Sequence, residues 1–128
     1  MTSKEYREAA RKKRNGKSKP KYNNKKITVL GIEFDSKAEG RRYSELLLLI
    51  KAGQITELEL QPEYILQPSF RYEGKAYRSI KYTPDFRYMK DGKVVVEEVK
   101  GFADTSYKIR KRLFLFQNPD LSFYELNL

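Results

Sequence analysis

The sequence contains no cysteine and no histidine, and these two absences exclude several classes of site. Without cysteine the chain has no disulfide framework, no thiolate metal site and no cysteine nucleophile. Without histidine it has no zinc site of the His/Cys kind, no Ser-His-Asp triad and no histidine base for a nuclease. If the chain is an enzyme, its chemistry depends on carboxylates, lysine, tyrosine and a bound cation.

Long apolar segments are also missing. No run approaches the roughly 20 apolar residues that a membrane-spanning helix needs. The N-terminus is charged from Lys4 onward and lacks the apolar segment of a signal peptide. We therefore expect a cytoplasmic protein without a membrane partner. A chain of 128 residues is long enough for one small domain with a single core.

The positive charge is concentrated at the start of the chain. Residues 1–26 hold 11 of the 27 Lys and Arg but two of the 17 Asp and Glu, a net of +9 out of +10, which leaves +1 for the other 102 residues. Such a segment cannot bury enough apolar surface to fold alone, and it suits contacts with a phosphate backbone. We expect a basic flexible arm (1–24) before a folded domain (25–128). The alternatives are a solubilising tail or contact with another polyanion. The arm cations expected to contact nucleic acid are Lys12, Lys13, Arg14, Lys25 and Lys26.

Periodicity and turn signals predict an α/β sandwich behind the arm. Tyr43, Leu46, Leu47 and Ile50 have the spacing of a core-facing helix. The predicted elements are a short helix (4–14) and a linker (15–24) in the arm, then a β-hairpin (26–34), a helix (36–52), strands (55–60, 63–66, 69–72, 75–88 and 93–100), a second helix (104–117) and a last strand (121–126).

The clearest local signal is Asp91-Gly92, a pair that favours a two-residue turn between antiparallel strands. With this turn, counting back along both strands places Asp85 directly opposite Glu98. Opposed residues share a face of the sheet, with Cβ atoms about 4.5–5.5 Å apart. Lys100 lies on the face of Glu98 because side chains alternate along a strand. We therefore expect three ionisable groups on one patch.

Asp85 and Glu98 repel each other unless a positive charge lies between them. Val94 and Val96 precede Glu98 on its face, so the patch is partly buried, which raises the cost of unpaired charge. A divalent cation relieves the repulsion, and a site made only of oxygen ligands suits Mg²⁺ or Mn²⁺. A second interpretation stays open, in which both acids are sheet-edge residues that Lys100 neutralises.

Glu39 has two interpretations of its own. It lies four residues before Tyr43, on the core-facing stripe of the first predicted helix, so its carboxylate can point towards the sheet patch. Ser36 and Glu39 also match a capping box, in which the acid folds back onto the Ser36 amide. The pattern alone favours the cap.

Further polar residues are candidates for contact with DNA. Gln61 lies beside a strand end, where it can line the site or contact DNA, although a buried structural amide fits equally well. Cations crowd the second predicted helix, and their spacing places three of them on one face, which suits phosphate contacts. A solvated helix face is the alternative. The candidates on this helix are Tyr107, Lys108, Lys111 and Arg112.

Together these residues resemble the PD-(D/E)XK nuclease superfamily. The pattern is Thr83-Pro84-Asp85 followed by Glu98-Val99-Lys100 on the next strand, with Glu39 upstream in a helix. More closely, the chain is similar to a family of small phage and prophage proteins regarded as nuclease-like and related to Holliday-junction resolvases. This similarity covers residues 25–126 and omits the arm. It rests on Phe34–Glu39, Leu60-Gln61-Pro62, Tyr82–Phe86 and Glu98–Gly101.

The resemblance implies a fold and a chemistry. The fold is a restriction-endonuclease-like core, a mixed central sheet flanked by helices in the order β-hairpin-α-βββ-α-β. Glu39, Asp85 and Glu98 would hold one or two Mg²⁺ ions, with Mn²⁺ as a substitute and the Val99 carbonyl as an extra ligand. Lys100 would orient or help to activate the attacking water. The resemblance thus moves Glu39 from cap to ligand.

The resulting hypothesis is a phage-encoded, metal-dependent DNA endonuclease that selects branched DNA such as Holliday junctions. A junction resolvase needs two active sites, so a homodimer is expected as well. The alternative is a non-catalytic DNA-binding or scaffold protein of phage replication, recombination or packaging. Clustered acids argue against it, since a pure binder gains nothing from carboxylates near phosphates. A nuclease acting on RNA, flaps or nicks would use the same chemistry.

Overall fold

The computed structural model describes residues 26–101 and 103–128. The arm expected over residues 1–24, with its helix (4–14) and its linker, therefore lies outside the described residues. So do four of the cations predicted to contact nucleic acid, namely Lys12, Lys13, Arg14 and Lys25.

The described residues form a mixed α/β fold of two helices and ten strands. The strands are β1 (Ile27–Val29), β2 (Ile32–Phe34), β3 (Thr56–Leu60), β4 (Tyr64–Gln67), β5 (Phe70–Tyr72), β6 (Lys75–Tyr77), β7 (Ile80–Tyr82), β8 (Phe86–Lys90), β9 (Lys93–Val99) and β10 (Ser122–Leu126). The helices are α1 (Lys37–Lys51), between β2 and β3, and α2 (Thr105–Gln117), between β9 and β10.

The central sheet has four strands in the order β10-β9-β8-β3. β10 runs parallel to β9, and the other pairs are antiparallel, so the sheet is mixed, as expected. Alternate residues of β9 enter two separate cores. Val95 and Val99 pack with Tyr43 and Leu46 of α1, whereas Val96 packs with Phe114 of α2. The sheet therefore lies between the two helices.

Three hairpins close with the same kind of turn. Leu30-Gly31, Glu73-Gly74 and Asp91-Gly92 all have positive φ at both positions, as a two-residue type I′ turn requires. This turn matches the right-handed twist of the flanking strands. It fixes the register of β8 and β9, in which Lys90 pairs with Lys93, as the sequence predicts.

Helix α1 begins where a side chain caps it. Ser36 has an extended backbone, and its Oγ accepts a 3.2 Å hydrogen bond from the Glu39 N–H, which is one half of the predicted capping box. Tyr43 and Leu46 are buried, but Ile50 is exposed, so its place on the core-facing stripe was wrong. Ile50 lies in the last turn of α1, which ends at Lys51.

The strand expected over residues 75–88 is three strands, β6, β7 and β8. Pro84 has no N–H for a ladder, and the chain bends at Asp85 before β8 begins. β4 pairs with β7 and β5 pairs with β6, so the segment between β3 and β8 forms two short two-stranded sheets outside the central one. Among the described residues no helix is long and apolar enough to cross a membrane.

Candidate carboxylate site

Asp85 lies at the bend before β8, anchored to strands on both sides. Its carbonyl accepts a 2.9 Å hydrogen bond from the Gln61 N–H, and its own N–H donates to the Glu97 carbonyl at 3.1 Å. Its Oδ2 accepts a 2.7 Å hydrogen bond from the Val99 N–H. The regular ladder stops at Phe86 opposite Glu97, one step before the predicted pairing of Asp85. The side chain continues the ladder at this point.

Glu98 projects from β9 towards α2, on the face opposite to Val99. The hydroxyl of buried Tyr82 donates a 3.0 Å hydrogen bond to its Oε2. Glu98 lines a cleft of about 500 Å³ between β7 and the first turns of α2. Tyr82 therefore holds the carboxylate at the cleft wall, and the sequence did not indicate this partner.

The two carboxylates are electrostatically coupled. Burial, and after it repulsion by Glu98 and Glu39, raises the pKa of Asp85 to about 8, against the lowering effect of the Val99 N–H. Burial likewise raises the pKa of Glu98 to about 7, opposed by the Tyr82 hydrogen bond and reinforced by Glu39. The site thus holds two half-buried acids whose charged forms are disfavoured first by burial and then by neighbouring acids.

Glu39 and Gln61 lie beside Asp85. All three line a small pocket of about 110 Å³ between the β1–β2 hairpin and the end of β3. Gln61 adopts φ of 50°, in the left-handed region that non-glycine residues seldom occupy. Such backbone often occurs at functional sites. The structure therefore places both predicted residues at Asp85, while Glu98 opens into the larger cleft on the α2 side.

Lys100 follows the end of β9, where its N–H donates to the Leu126 carbonyl at 2.8 Å. With Glu98 and Tyr107 it lines a small cavity. It also lines a cleft of about 330 Å³ with the predicted helix cations Lys108, Lys111 and Arg112. Lys100 therefore lies between the carboxylates and the basic face of α2.

Glu125 organises this side of the site. It is paired with Glu98 across β9 and β10. Its Oε1 accepts a 2.8 Å hydrogen bond from the Tyr107 hydroxyl and forms a 2.5 Å ion pair with the Lys111 Nζ. The Lys111 contact, followed by that of Tyr107, lowers the pKa of Glu125. Lys111 is therefore paired with an acid of the same chain, whereas Lys108 and Arg112 are exposed to solvent.

The predicted nucleic-acid contact at Lys26 lies away from α2. Lys26 precedes β1 and forms a 3.4 Å ion pair with Glu33 of β2. Glu33 lines the same small pocket as Glu39. Lys26 is thus close to the Asp85 side of the site, where the arm joins the described residues.

A buried ion pair supports β9 from the opposite face, and sequence analysis missed it. Glu97 is 2% exposed. Arg42 of α1 binds both of its carboxylate oxygens, through Nε at 2.8 Å and an Nη at 2.7 Å, and the Tyr88 hydroxyl donates at 2.5 Å. This two-point contact holds α1 against β9, directly beside Glu98 in the chain. A charged residue within an otherwise apolar strand face was the only signal for it.

The chemistry of the donor set fits a hard divalent cation. Asp85 and Glu98 offer only oxygen ligands, and their raised pKa values show that negative charge is disfavoured there unless a cation accompanies it. Within residues 26–101 and 103–128 no group of three or more acidic side chains is arranged to hold a metal ion. Mg²⁺ keeps several waters and is often bound by one or two carboxylates, so this pair meets its minimum requirement.

Comparisons with known proteins give one match. The model of a family described as "Protein of unknown function (DUF1064)" matches residues 19–127. No curated protein and no solved structure matches the chain.

Proposed function

The chain belongs to the DUF1064 family, and from the carboxylate site we propose that it is a metal-dependent DNA endonuclease. The residues proposed for the site are Asp85, Glu98 and Lys100, with Glu39 as the adjoining acid. The observation that carries the proposal is the electrostatic coupling of Asp85 and Glu98, two half-buried acids. Glu98 shares a small cavity with Lys100, and Lys100 in turn adjoins the basic face of α2.

Each residue would have a distinct task. Asp85 and Glu98 would bind Mg²⁺, with the Val99 carbonyl and Glu39 as additional ligands. The metal would lower the pKa of a bound water and stabilise charge on the scissile phosphate. Lys100 would orient this water and offset negative charge in the transition state. Tyr82 would hold Glu98 in place through its hydrogen bond.

The proposed substrate is DNA, and more specifically branched DNA. The exposed Lys108 and Arg112 supply phosphate contacts on the α2 side of the site, and the basic residues 1–26 supply further positive charge. The small domain offers little surface for reading a long base sequence, so selection by DNA structure fits it better. We propose a phage-encoded, cytoplasmic enzyme of recombination or replication that acts as a homodimer on junctions, because cutting two strands requires two sites.

A scaffold protein that binds DNA without cutting it is the second candidate. The observation in its favour is the lack of a ready three-acid metal cluster among the described residues. Carboxylates that face phosphate weaken binding unless a cation intervenes, so the position of Asp85 and Glu98 beside the basic face favours the enzyme.

The test is a cleavage assay on labelled four-way junction, flap, duplex and single-stranded DNA, with Mg²⁺, with Mn²⁺ or with EDTA. The variants are Asp85→Asn, Glu98→Gln and Lys100→Met, and the control is Asp120→Asn, an exposed acid in the turn before β10. We expect metal-dependent cleavage that each site variant reduces by at least about a hundredfold, with DNA binding retained. Equal cleavage by Asp85→Asn and Asp120→Asn would refute the site. Tight binding without cleavage on any substrate would favour the scaffold.

A further inference from the structure

The β5–β6 hairpin, residues 70–77, projects from the fold, and we refer to it as the ribbon. Every residue of both its strands is exposed. Three of these residues are aromatic, namely Phe70, Tyr72 and Tyr77. Exposed rings gathered on one short hairpin are costly in water and usually mark a binding surface.

The rings form an ordered platform. Phe70 pairs with Tyr77 across the ribbon, and their rings are stacked, with centroids 4.9 Å apart and planes inclined by 6°. Tyr72 pairs with Lys75, and the Lys75 Nζ lies 5.3 Å from the Tyr77 ring centroid. Cross-strand partners and alternate residues share a face, so these four side chains line one face of the ribbon.

The charge of the ribbon and its base is positive. Residues 69–81 contain four cations and one acid, Glu73 at the tip. A second copy of the ribbon would bring like charges together, which disfavours self-association through this face. An anionic partner with flat apolar rings suits both features. Unpaired nucleobases on a phosphate backbone have this chemistry, because bases stack on aromatic side chains while cations follow the phosphates.

The ribbon leads directly into the candidate site. Ser79 and Lys81 at its base line the same cleft as Glu98, and the chain then reaches Tyr82, which binds Glu98. Tyr77 lies five residues before Tyr82, at most about 17 Å away at roughly 3.3 Å per strand residue. This span corresponds to at most about five nucleotides at about 3.4 Å per step, the rise of a duplex strand.

We propose that the ribbon binds unpaired DNA bases by stacking, within about five nucleotides of the scissile phosphate, and so selects DNA with unpaired or splayed strands. The location relative to the cut rests on the proposed nuclease function, whereas the stacking itself does not. Phe70 and Tyr77 provide the platform, and the ribbon cations hold the adjoining phosphates.

The test measures binding without cleavage. Anisotropy of labelled oligo-deoxythymidine and of a labelled hairpin duplex is recorded with the full chain in EDTA, at raised salt so that nonspecific phosphate contacts contribute little. The variants are Phe70→Leu and Tyr77→Leu, with Tyr77→Phe as the conservative replacement. The control is Phe116→Leu, which removes an even more exposed ring from α2. Thermal melting verifies that each variant is folded.

We expect each ring loss to weaken oligo-deoxythymidine binding on the order of tenfold, with duplex binding unchanged. Tyr77→Phe should bind like the parent, and so should Phe116→Leu. Unchanged oligo-deoxythymidine affinity in Phe70→Leu and Tyr77→Leu, or an equal loss on duplex, would overturn the proposal. The binding measurement is made without metal and does not depend on cleavage. If the parent chain fails to cleave DNA in the separate assay with metal, the nuclease proposal is refuted and the binding result still stands.

Discussion

The backbone N–H of Val99 donates a 2.7 Å hydrogen bond to Oδ2 of Asp85. A carboxyl side chain thus occupies a place in the sheet where a strand carbonyl would ordinarily accept. The bond favours the ionised form, but burial and the neighbouring Glu98 and Glu39 oppose it more strongly, and the pKa of Asp85 rises to about 8. Asp85 is therefore fixed in position while its charge remains unfavourable.

The metal-free protein should lose stability as the pH rises. The pKa of Asp85, about 8, and that of Glu98, about 7, exceed the ordinary values near 4 of an unfolded chain. Between about pH 4 and pH 8 the folded state binds more protons than the unfolded state, so the free energy of unfolding falls as pH rises. Thermal melting in EDTA across this window measures the effect.

Asp85→Asn separates this contribution from other titrations. The amide oxygen still accepts from the Val99 N–H, and the charge is gone. At about pH 8 in EDTA we expect the variant to melt about 5 °C higher than the parent, which corresponds to about 1 kcal/mol. Added Mg²⁺ should stabilise the parent and not the variant. A variant that melts at a lower temperature than the parent at this pH would show that the negative charge of Asp85 does not destabilise the fold.

Tyr82→Phe should shift the pH dependence of the proposed cleavage. The Tyr82 hydroxyl lowers the pKa of Glu98, so its removal raises that pKa and lets protons compete better with metal. We expect the acidic limb of the rate profile to move upward by about one pH unit. Tyr88→Phe is the matched control, because its hydroxyl binds Glu97 on the other face. Equal shifts in both variants would mean that the effect comes from destabilisation of the sheet and not from the loss of the Tyr82–Glu98 hydrogen bond.

The sequence predicted the parts of the site that depend on local rules. Asp91-Gly92 determines the turn, the turn determines the register of β8 and β9, and alternation then assigns Val95 and Val99 to one core and Val96 to the other. Ser36 likewise marks the start of α1. These features need only neighbours along the chain or across one hairpin, so a single sequence contains them.

The residues that sequence analysis missed depend on distant partners. Glu97 is an acid on a core face, and its partner Arg42 lies 55 residues away, a distance over which no periodicity connects two positions. Tyr82 lies inside one long expected strand, which in the structure is interrupted at Pro84, a residue without an N–H for the ladder. Its bond to Glu98 arises only when β7 leaves the central sheet.

Removing Arg42 should destabilise the fold more than removing both charges of its pair. Arg42→Met leaves the Glu97 carboxylate buried without a cation, which we expect to cost about 3 kcal/mol. Adding Glu97→Gln removes that charge and keeps an acceptor for the Tyr88 hydroxyl, so the double variant should recover roughly half of the loss. Urea unfolding gives both values. A double variant less stable than Arg42→Met would contradict this account.

Deleting residues 1–24 should reduce the salt dependence of DNA binding. The deleted residues carry nine of the 27 Lys and Arg, and each phosphate contact that is lost removes about one unit from the logarithmic salt slope. The melting temperature should change little, because the described fold begins at Lys26. Binding titrations at several salt concentrations measure the slope. An unchanged slope would mean that the arm does not touch DNA.

The ribbon belongs to a longer segment that is flanked by two residues facing each other, since Gln67 pairs with Ile80. The twelve residues between them can therefore be lengthened, shortened or replaced while their two ends stay where they are, and the entropy of closing such an excursion grows only with the logarithm of its length. Asp85 and Glu98 lie outside it. The positions of the two carboxylates are thus independent of this segment, whose length and sequence can change without moving them.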